Sequence, residues 1–160
     1  MKIIKNLHDY SQKTPLALSI GMFDGVHHGH QTIIKNLNSA AQNKDLESAI
    51  LTFWPHPRTV FNPNDDLKLL NTIEEKTYLL EKNKVQHLFL KEFDEAFRNL
   101  TGEEFVKQIL IDKLNVKHLI IGHDHTFGKN RSGDFNLLKK MSSEYGFEIV
   151  QVEAVDFQDR

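Results

Sequence analysis

Five short apolar runs punctuate an otherwise polar chain: Leu16-Ala17-Leu18-Ser19-Ile20, Ser48-Ala49-Ile50-Leu51-Thr52-Phe53, His87-Leu88-Phe89-Leu90, His118-Leu119-Ile120-Ile121 and Phe147-Glu148-Ile149-Val150-Gln151-Val152. Each has the length of a buried strand. After the first, Ile33, Ile34, Leu37, Ala40 and Ala41 recur at helical spacing, which predicts a helix through about Gln42. Phe105, Val106, Ile109, Leu110 and Leu114 form a second such stripe, and a further helix is predicted over 134–145. Thr72 with Glu75 and Thr101 with Glu104 have capping-box spacing, so helices start near Ile73 and just beyond Thr101. Met1 to Pro15 reads as a polar lead-in, with Ile3, Ile4 and Leu7 as packing candidates. Strand and helix alternate, which predicts an α/β fold: a parallel five-stranded sheet with helices on both faces. Ligands bind such sheets beyond the carboxyl ends of the strands.

Three loops that leave strand ends carry most of the candidate chemistry. The first is Gly21-Met22-Phe23-Asp24-Gly25-Val26-His27-His28-Gly29-His30, between the first strand and its helix. Glycines at 21 and 25 allow a sharp turn and close approach to a ligand. The following helix start offers free N–H groups and the positive end of its dipole, an anion site to which imidazoles at 27 and 30 add donors. Prolines at 55 and 57 stiffen the second loop, Trp54-Pro55-His56-Pro57-Arg58, which continues to about Leu70. The third runs from Gly122 through His123, Asp124, His125, Thr126, Phe127, Gly128, Lys129, Asn130, Arg131 and Ser132 to Gly133. Six of the nine histidines lie in these loops, and a parallel sheet would bring all three to one edge.

Each loop also has a plainer explanation. The histidines at 27, 28 and 30 could ligate a transition metal or simply face solvent. Pro55-His56-Pro57 could serve only to rigidify a connection. Trp54 and Phe61 beside two prolines could pack a core or form a flat slot for a planar ring. Lys129 and Arg131 could be a solvated basic loop or a phosphate contact, Arg being suited to bidentate binding. Asp124 could form a turn, accept a hydrogen bond from a ligand or help hold a metal. His8, His87 and His118 lie outside the loops and read as structural.

Composition narrows these choices. The 160 residues suit one domain, and 39% hydrophobic with 26% charged residues is ordinary for a water-soluble fold. A net charge of −2 gives no general attraction to nucleic acid or to an anionic membrane, so anion binding must be local. With 0 cysteines there is no disulfide, thiolate metal site or cysteine nucleophile. Neither a signal peptide nor a membrane-spanning run is legible, which makes the cytoplasm the expected compartment.

The turn at 21–30 resembles the His-x-Gly-His turn of the nucleotidyltransferase superfamily. With Phe53-Trp54-Pro55-His56-Pro57 and Gly122-x-Asp124-x-x-Phe127-Gly128-x-x-Arg131-x-Gly133, the chain resembles the FMN adenylyltransferase (FAD synthetase) module of bacterial bifunctional riboflavin kinase/FMN adenylyltransferases. The first motif alone is shared with cytidylyltransferases and other adenylyltransferases; the three in this order are specific.

The resemblance implies a Rossmann-like sheet of nucleotidyltransferase type and transfer of AMP from ATP to FMN, giving FAD and pyrophosphate, with Mg2+ accompanying ATP. It implies that Gly21, Met22, Phe23, Asp24, Gly25, His27, Gly29 and His30 bind ATP. His27, His30 and Asp124 fall at catalytic positions, with no resident protein-bound metal. Pro55, His56, Pro57, Phe61, Asp124, Thr126, Phe127 and Arg131 fall at flavin-binding positions. His123 and His125 match no expected role. A Ser/Thr-rich segment ending in Ile-Arg is expected beyond the fifth strand, where this sequence stops at Arg160. The domain over 1–160 is therefore expected to be cut from a longer chain that continues into a riboflavin kinase barrel. The other readings are a different nucleotidyl transfer, such as cytidylyl transfer, and a non-catalytic flavin- or nucleotide-binding module.

Overall fold

The computed structural model describes residues 1–11, 13–21, 28–54, 74, 77–122 and 125–152, apart from the side chains of 28–30 and 54. Its strands are β1 (Lys2–Ile4), β2 (Leu16–Ile20), β3 (Glu47–Trp54), β4 (His87–Glu92), β5 (Val116–Gly122) and β6 (Glu148–Val152). They form one sheet in the order β1-β4-β3-β2-β5-β6, and every pairing is parallel. The helices are α1 (His28–Asn43), a segment over 77–82, α2 (Glu95–Arg98), α3 (Gly102–Phe105) with its π-helical continuation Val106–Lys113, and α4 (Phe135–Tyr145).

The sheet has six strands where five are legible in the sequence. The extra one, β1, comes from the lead-in and lies beside β4, with Lys2 opposite His87. It is three residues long and Ile3 is 43% exposed, so it makes almost no periodic signal. An edge strand of this kind exists because β4 offers free backbone groups to pair with. Leu7 is buried in a short 3-10 turn just after it, and Ile4 packs against the core.

Side chains alternate between the two faces of the strands, and each face has its own core. Leu16, Leu18, Leu51, Phe89, Leu119 and Ile121 meet Phe105, Val106, Leu110, Leu138 and Met141 on one face. Ala17, Ile50, Leu88 and Ile120 meet Ile34, Leu37, Ala41 and Leu80 on the other. So α1 and the 77–82 segment cover one side, while α3 with its continuation and α4 cover the opposite side. The chain leaves β2 toward β3 and β4, then returns to build β5 and β6 on β2's other edge. That reversal leaves a crevice at the carboxyl ends of β2 and β5, where ligands of such sheets bind.

The predicted helix starts hold where they can be compared. Thr101 Oγ1 accepts from the Glu104 N–H at 3.1 Å, and Glu104 Oε1 accepts from the Thr101 N–H at 2.9 Å. Asp134 caps α4 by accepting from the Leu137 N–H at 3.0 Å, and Gly146 closes that helix at φ +74°. The pair Thr72/Glu75 lies outside the described residues. Past Phe105 the helix widens: the Leu114 N–H reaches the Ile109 carbonyl at 2.9 Å, and Lys107 reaches Asp112, five residues on, at 2.6 Å. The stripe from Phe105 to Leu114 stays buried despite this wider winding.

Two of the three histidines read as structural are buried in the sheet. His87 Nε2 lies 2.5 Å from Glu47 Oε1 and His118 Nδ1 lies 3.4 Å from Glu148 Oε2. Burial pushes the His118 imidazole below its ordinary pKa, against the opposing pull of Glu148. His8 is exposed in the turn after β1.

Replacing Thr101 with Ala removes one half of the capping box at the start of α3. We expect a loss of about 1 kcal/mol, read as a fall in melting temperature of about 2–4 °C; an unchanged melting temperature would contradict the role given to the cap.

Candidate active site

A cavity of about 430 Å³ opens at the carboxyl edge of the sheet, within the size range of small-molecule sites. Gly21, the residue after β2, borders it, held by its N–H to the Leu51 carbonyl of β3 at 3.1 Å. The walls are aromatic. Phe53 comes from the end of β3, Phe93 and Phe97 from the segment after β4, Phe105 from α3, and His125 and Phe127 from the loop after β5. Neighbouring rings touch in a continuous belt. His125 to Phe127 is 6.0 Å between centroids, Phe127 to Phe105 5.5 Å, Phe105 to Phe97 5.7 Å and Phe97 to Phe53 5.1 Å. Phe93 closes the belt at 5.7 Å from Phe97 and 6.3 Å from Phe53. Such a surface suits a flat, largely apolar ring system.

The loop after β5 is held rigid by backbone contacts. Phe127 and Gly133 exchange hydrogen bonds: Phe127 N–H to the Gly133 carbonyl at 3.1 Å, and Gly133 N–H to the Phe127 carbonyl at 2.9 Å. Gly128, at φ +79°, lies against the backbone of Gly102, and the Lys129 N–H reaches the Leu100 carbonyl at 2.7 Å. Ser132 Oγ accepts from the Gly102 N–H at 2.8 Å, so the first turn of α3 is capped by this loop. A Cβ on Gly102 would run into the backbone of Gly133, and one on Gly133 would fall within the Phe127 ring. Within the loop Asn130 and Arg131 both take left-handed φ values, 57° and 55°. Two adjacent non-glycine residues in that region are uncommon, and such strain concentrates at ligand sites. They place Arg131 at the cavity rim, exposed and without a carboxylate partner among the described residues.

His125 is the polar exception in the belt. Burial lowers its pKa from the ordinary 6.5, favouring the uncharged imidazole. Its backbone N–H reaches the Gly122 carbonyl at 3.3 Å, while Nε2 is buried with no hydrogen-bond partner among the described residues.

Of the residues singled out from the sequence, Gly21, Thr126, Phe127 and Arg131 meet at this cavity. His28, Gly29 and His30 form the first turn of α1, which packs on the opposite face of the sheet. Met22, Phe23, Asp24, Gly25 and His27 lie outside the described residues, as do Pro55, His56, Pro57, Phe61, His123 and Asp124. Sequence reading missed Phe53, Phe93, Phe97 and Phe105 as site residues. Phe93 and Phe97, four apart and directly after a strand, carried a readable signal; Phe53 and Phe105 looked like core, and they are core on one side. Among the described residues no three His, Asp or Glu side chains are grouped to hold a metal. No described helix is long and apolar enough to cross a membrane.

A sequence model of the family described as FAD synthetase matches residues 9–160. A bifunctional riboflavin kinase/FMN adenylyltransferase of Buchnera aphidicola from Schizaphis graminum is 34% identical over 161 aligned positions, covering 100% of this chain and 52% of the relative. The enzyme of the same name from Escherichia coli K12 is 35% identical over 155 positions, covering 96% of this chain and 50% of its own. This chain thus spans about half the length of the curated relatives it matches. Among solved structures, one described as a macrolide-efflux protein from Streptococcus pneumoniae superposes with a TM-score of 0.78 at 29% identity. That match covers 96% of this chain and 49% of the other.

The contact between Gly133 and Phe127 is testable without knowing the ligand. Gly133→Ala should displace the Phe127 ring and cost about 1–3 kcal/mol by overpacking. Gly122→Ala, whose Cβ would meet nothing within 4 Å among the described residues, should stay within about 0.5 kcal/mol of the parent. Equal melting temperatures for the two variants would refute the packing.

Proposed function

Since the chain belongs to the FAD synthetase family, we propose that it transfers AMP from ATP to FMN, releasing pyrophosphate and forming FAD. An oxygen of the FMN phosphate attacks the α-phosphorus of ATP, and the bond from that phosphorus to the oxygen of the leaving pyrophosphate breaks. The observation that carries this reading is the ring-lined cavity bordered by Gly21. It offers an apolar site for a flavin ring beside Gly21, the residue after β2.

The topology supports two subsites that meet near Gly21. The cavity opens over the face covered by α3 and α4, and α1 packs on the other face with its first turn at His28. A flavin ring in the cavity and a triphosphate at the start of α1 would bring their phosphates together near Gly21. Gly21, Met22, Phe23, Asp24, Gly25 and Gly29 would hold the nucleotide by backbone contacts. His27 and His30 would donate to the α-phosphate as its charge grows in attack. Thr126 and Phe127, with Pro55, His56, Pro57 and Phe61, would hold the flavin, and Arg131 at the rim would meet its phosphate. Asp124 would accept a hydrogen bond from the flavin and help fix its orientation.

The FMN phosphate monoester is largely ionised at neutral pH, so the attacking oxygen needs no strong base. Rate then rests on in-line positioning and on charge stabilisation by the chain's donors. Magnesium keeps most of its waters and needs few protein ligands. Carried on the triphosphate, the ion would neutralise charge on the leaving pyrophosphate. The site over 1–160 would work in the cytoplasm, within a protein that also carries a riboflavin kinase domain.

Titration with FMN, riboflavin, ATP and CTP, followed by an assay for FAD with ATP and Mg2+, tests the reading. Flavin fluorescence should quench on binding, and ATP should support product where CTP does not. Binding without FAD formation in the full-length protein would leave a flavin-binding module and remove the transfer. His30→Ala should lower FAD formation by about 100-fold at saturating ATP, as for other lost transition-state donors, while folding stays intact. A rate within about threefold of the parent would take His30 out of the reaction.

A further inference from the structure

The described histidines of the sheet and its loops differ in one respect. His87 and His118 are buried within the sheet and each faces a carboxylate, Glu47 and Glu148 respectively, although Nδ1 of each also lacks a hydrogen bond among the described residues. His125 faces no carboxylate among the described residues. Its ring lines the aromatic cavity, stacked on Phe127 at an interplanar angle of 26°. Nε2 is sealed from solvent without a hydrogen-bond partner among the described residues. A buried polar atom left unsatisfied destabilises the protein that carries it. A phenylalanine would complete the belt without that cost.

We propose that His125 is the flavin-specificity residue of this cavity, its imidazole supplying the hydrogen bond that reads the nitrogen- and oxygen-bearing edge of the isoalloxazine ring. The inference rests on the flavin reading above and adds to it a residue that reading does not use. The ring belt gives stacking surface but no direction, since phenylalanine faces accept any flat apolar ring equally well. A single neutral imidazole in that belt supplies direction. Being uncharged, it can donate or accept according to tautomer, so it can match either a ring nitrogen or a carbonyl. A half-turn about the Cβ–Cγ bond exchanges Nε2 with Cε1 and preserves the outline of the ring. The sealed nitrogen can therefore be turned toward a ligand while the imidazole keeps its stack on Phe127. Its backbone is held meanwhile by the bond to the Gly122 carbonyl.

The role predicts opposite effects on the empty and the occupied protein, which a purely structural histidine would not produce. His125→Phe should raise the melting temperature of the ligand-free protein by about 2–4 °C, because it removes a buried nitrogen that has no hydrogen-bond partner among the described residues. It should weaken flavin binding about fivefold, the equivalent of about 1 kcal/mol for a lost hydrogen bond. His125→Leu tests the same loss should Phe overfill the site. His125→Gln, which restores an amide donor and acceptor, should bind within about twofold of the parent.

Fluorescence quenching titrations with both FMN and riboflavin identify what is being read. A contact to the ring edge weakens the two ligands by the same factor; loss confined to FMN would assign His125 to the phosphate and overturn the proposal. It is likewise overturned if both apolar variants bind flavin as tightly as the parent, in which case the flavin site itself still stands. A parent protein that quenches neither ligand would remove the flavin reading and this inference with it.

Discussion

β2 is the constraint on which the rest of this molecule depends. All five of its residues are buried, and it pairs on both edges, with β3 on one side and β5 on the other. A strand in that position has no free backbone group along its length and no solvent face. Its side chains must therefore be small or apolar on both sides, and Leu16-Ala17-Leu18-Ser19-Ile20 satisfies this. The first point at which the chain escapes is Gly21. Because the path reverses about β2, that escape point is also the crevice between two diverging crossovers. The position of the site is thus a consequence of burying one strand completely.

The second constraint is the closeness of three glycine backbones. Gly102, Gly128 and Gly133 bring the loop after β5 against the start of α3, with Ser132 and the Leu100 carbonyl supplying hydrogen bonds. The Phe127 ring then lies over Gly133, where any side chain would exclude it. This packing converts a loop into a wall. It turns Phe127 and His125 toward rings from β3, the post-β4 segment and α3, and it leaves Arg131 at the mouth. The capping box at Thr101 serves the same end, since it fixes the helix start on which the loop rests.

Stability and function draw on the same aromatic residues. Phe105 is 2% exposed and belongs to the core beneath the sheet, yet its ring also borders the cavity. Phe53 and Phe97 are likewise packed against that core. The floor of the site is the upper layer of the hydrophobic core, so its shape is held by the same burial that stabilises the fold. A site built this way is largely preformed. Only the polar groups at its edge remain to be satisfied by what binds.

The sequence by itself determined the strand and helix alternation, because periods of 2 and 3.6 are local properties of side-chain placement. It also determined helix starts at Thr101 and Asp134, where a side chain three residues from its partner closes a hydrogen bond. The concentration of chemistry after β2 and β5 was legible too, since glycines and histidines beyond apolar runs stand out without any contact map. Only the tertiary structure decided what depends on distant neighbours. β1 exists because β4 has an open edge, and no pattern in three residues announces that. Phe53 lies more than forty positions before Phe97 and Phe105, and the three form one wall only when the end of β3, the segment after β4 and α3 come together. His125 looked no different from His123 along the chain; its stack on Phe127 and its buried nitrogen, without a partner among the described residues, arise from packing across the loop, which sequence spacing does not encode.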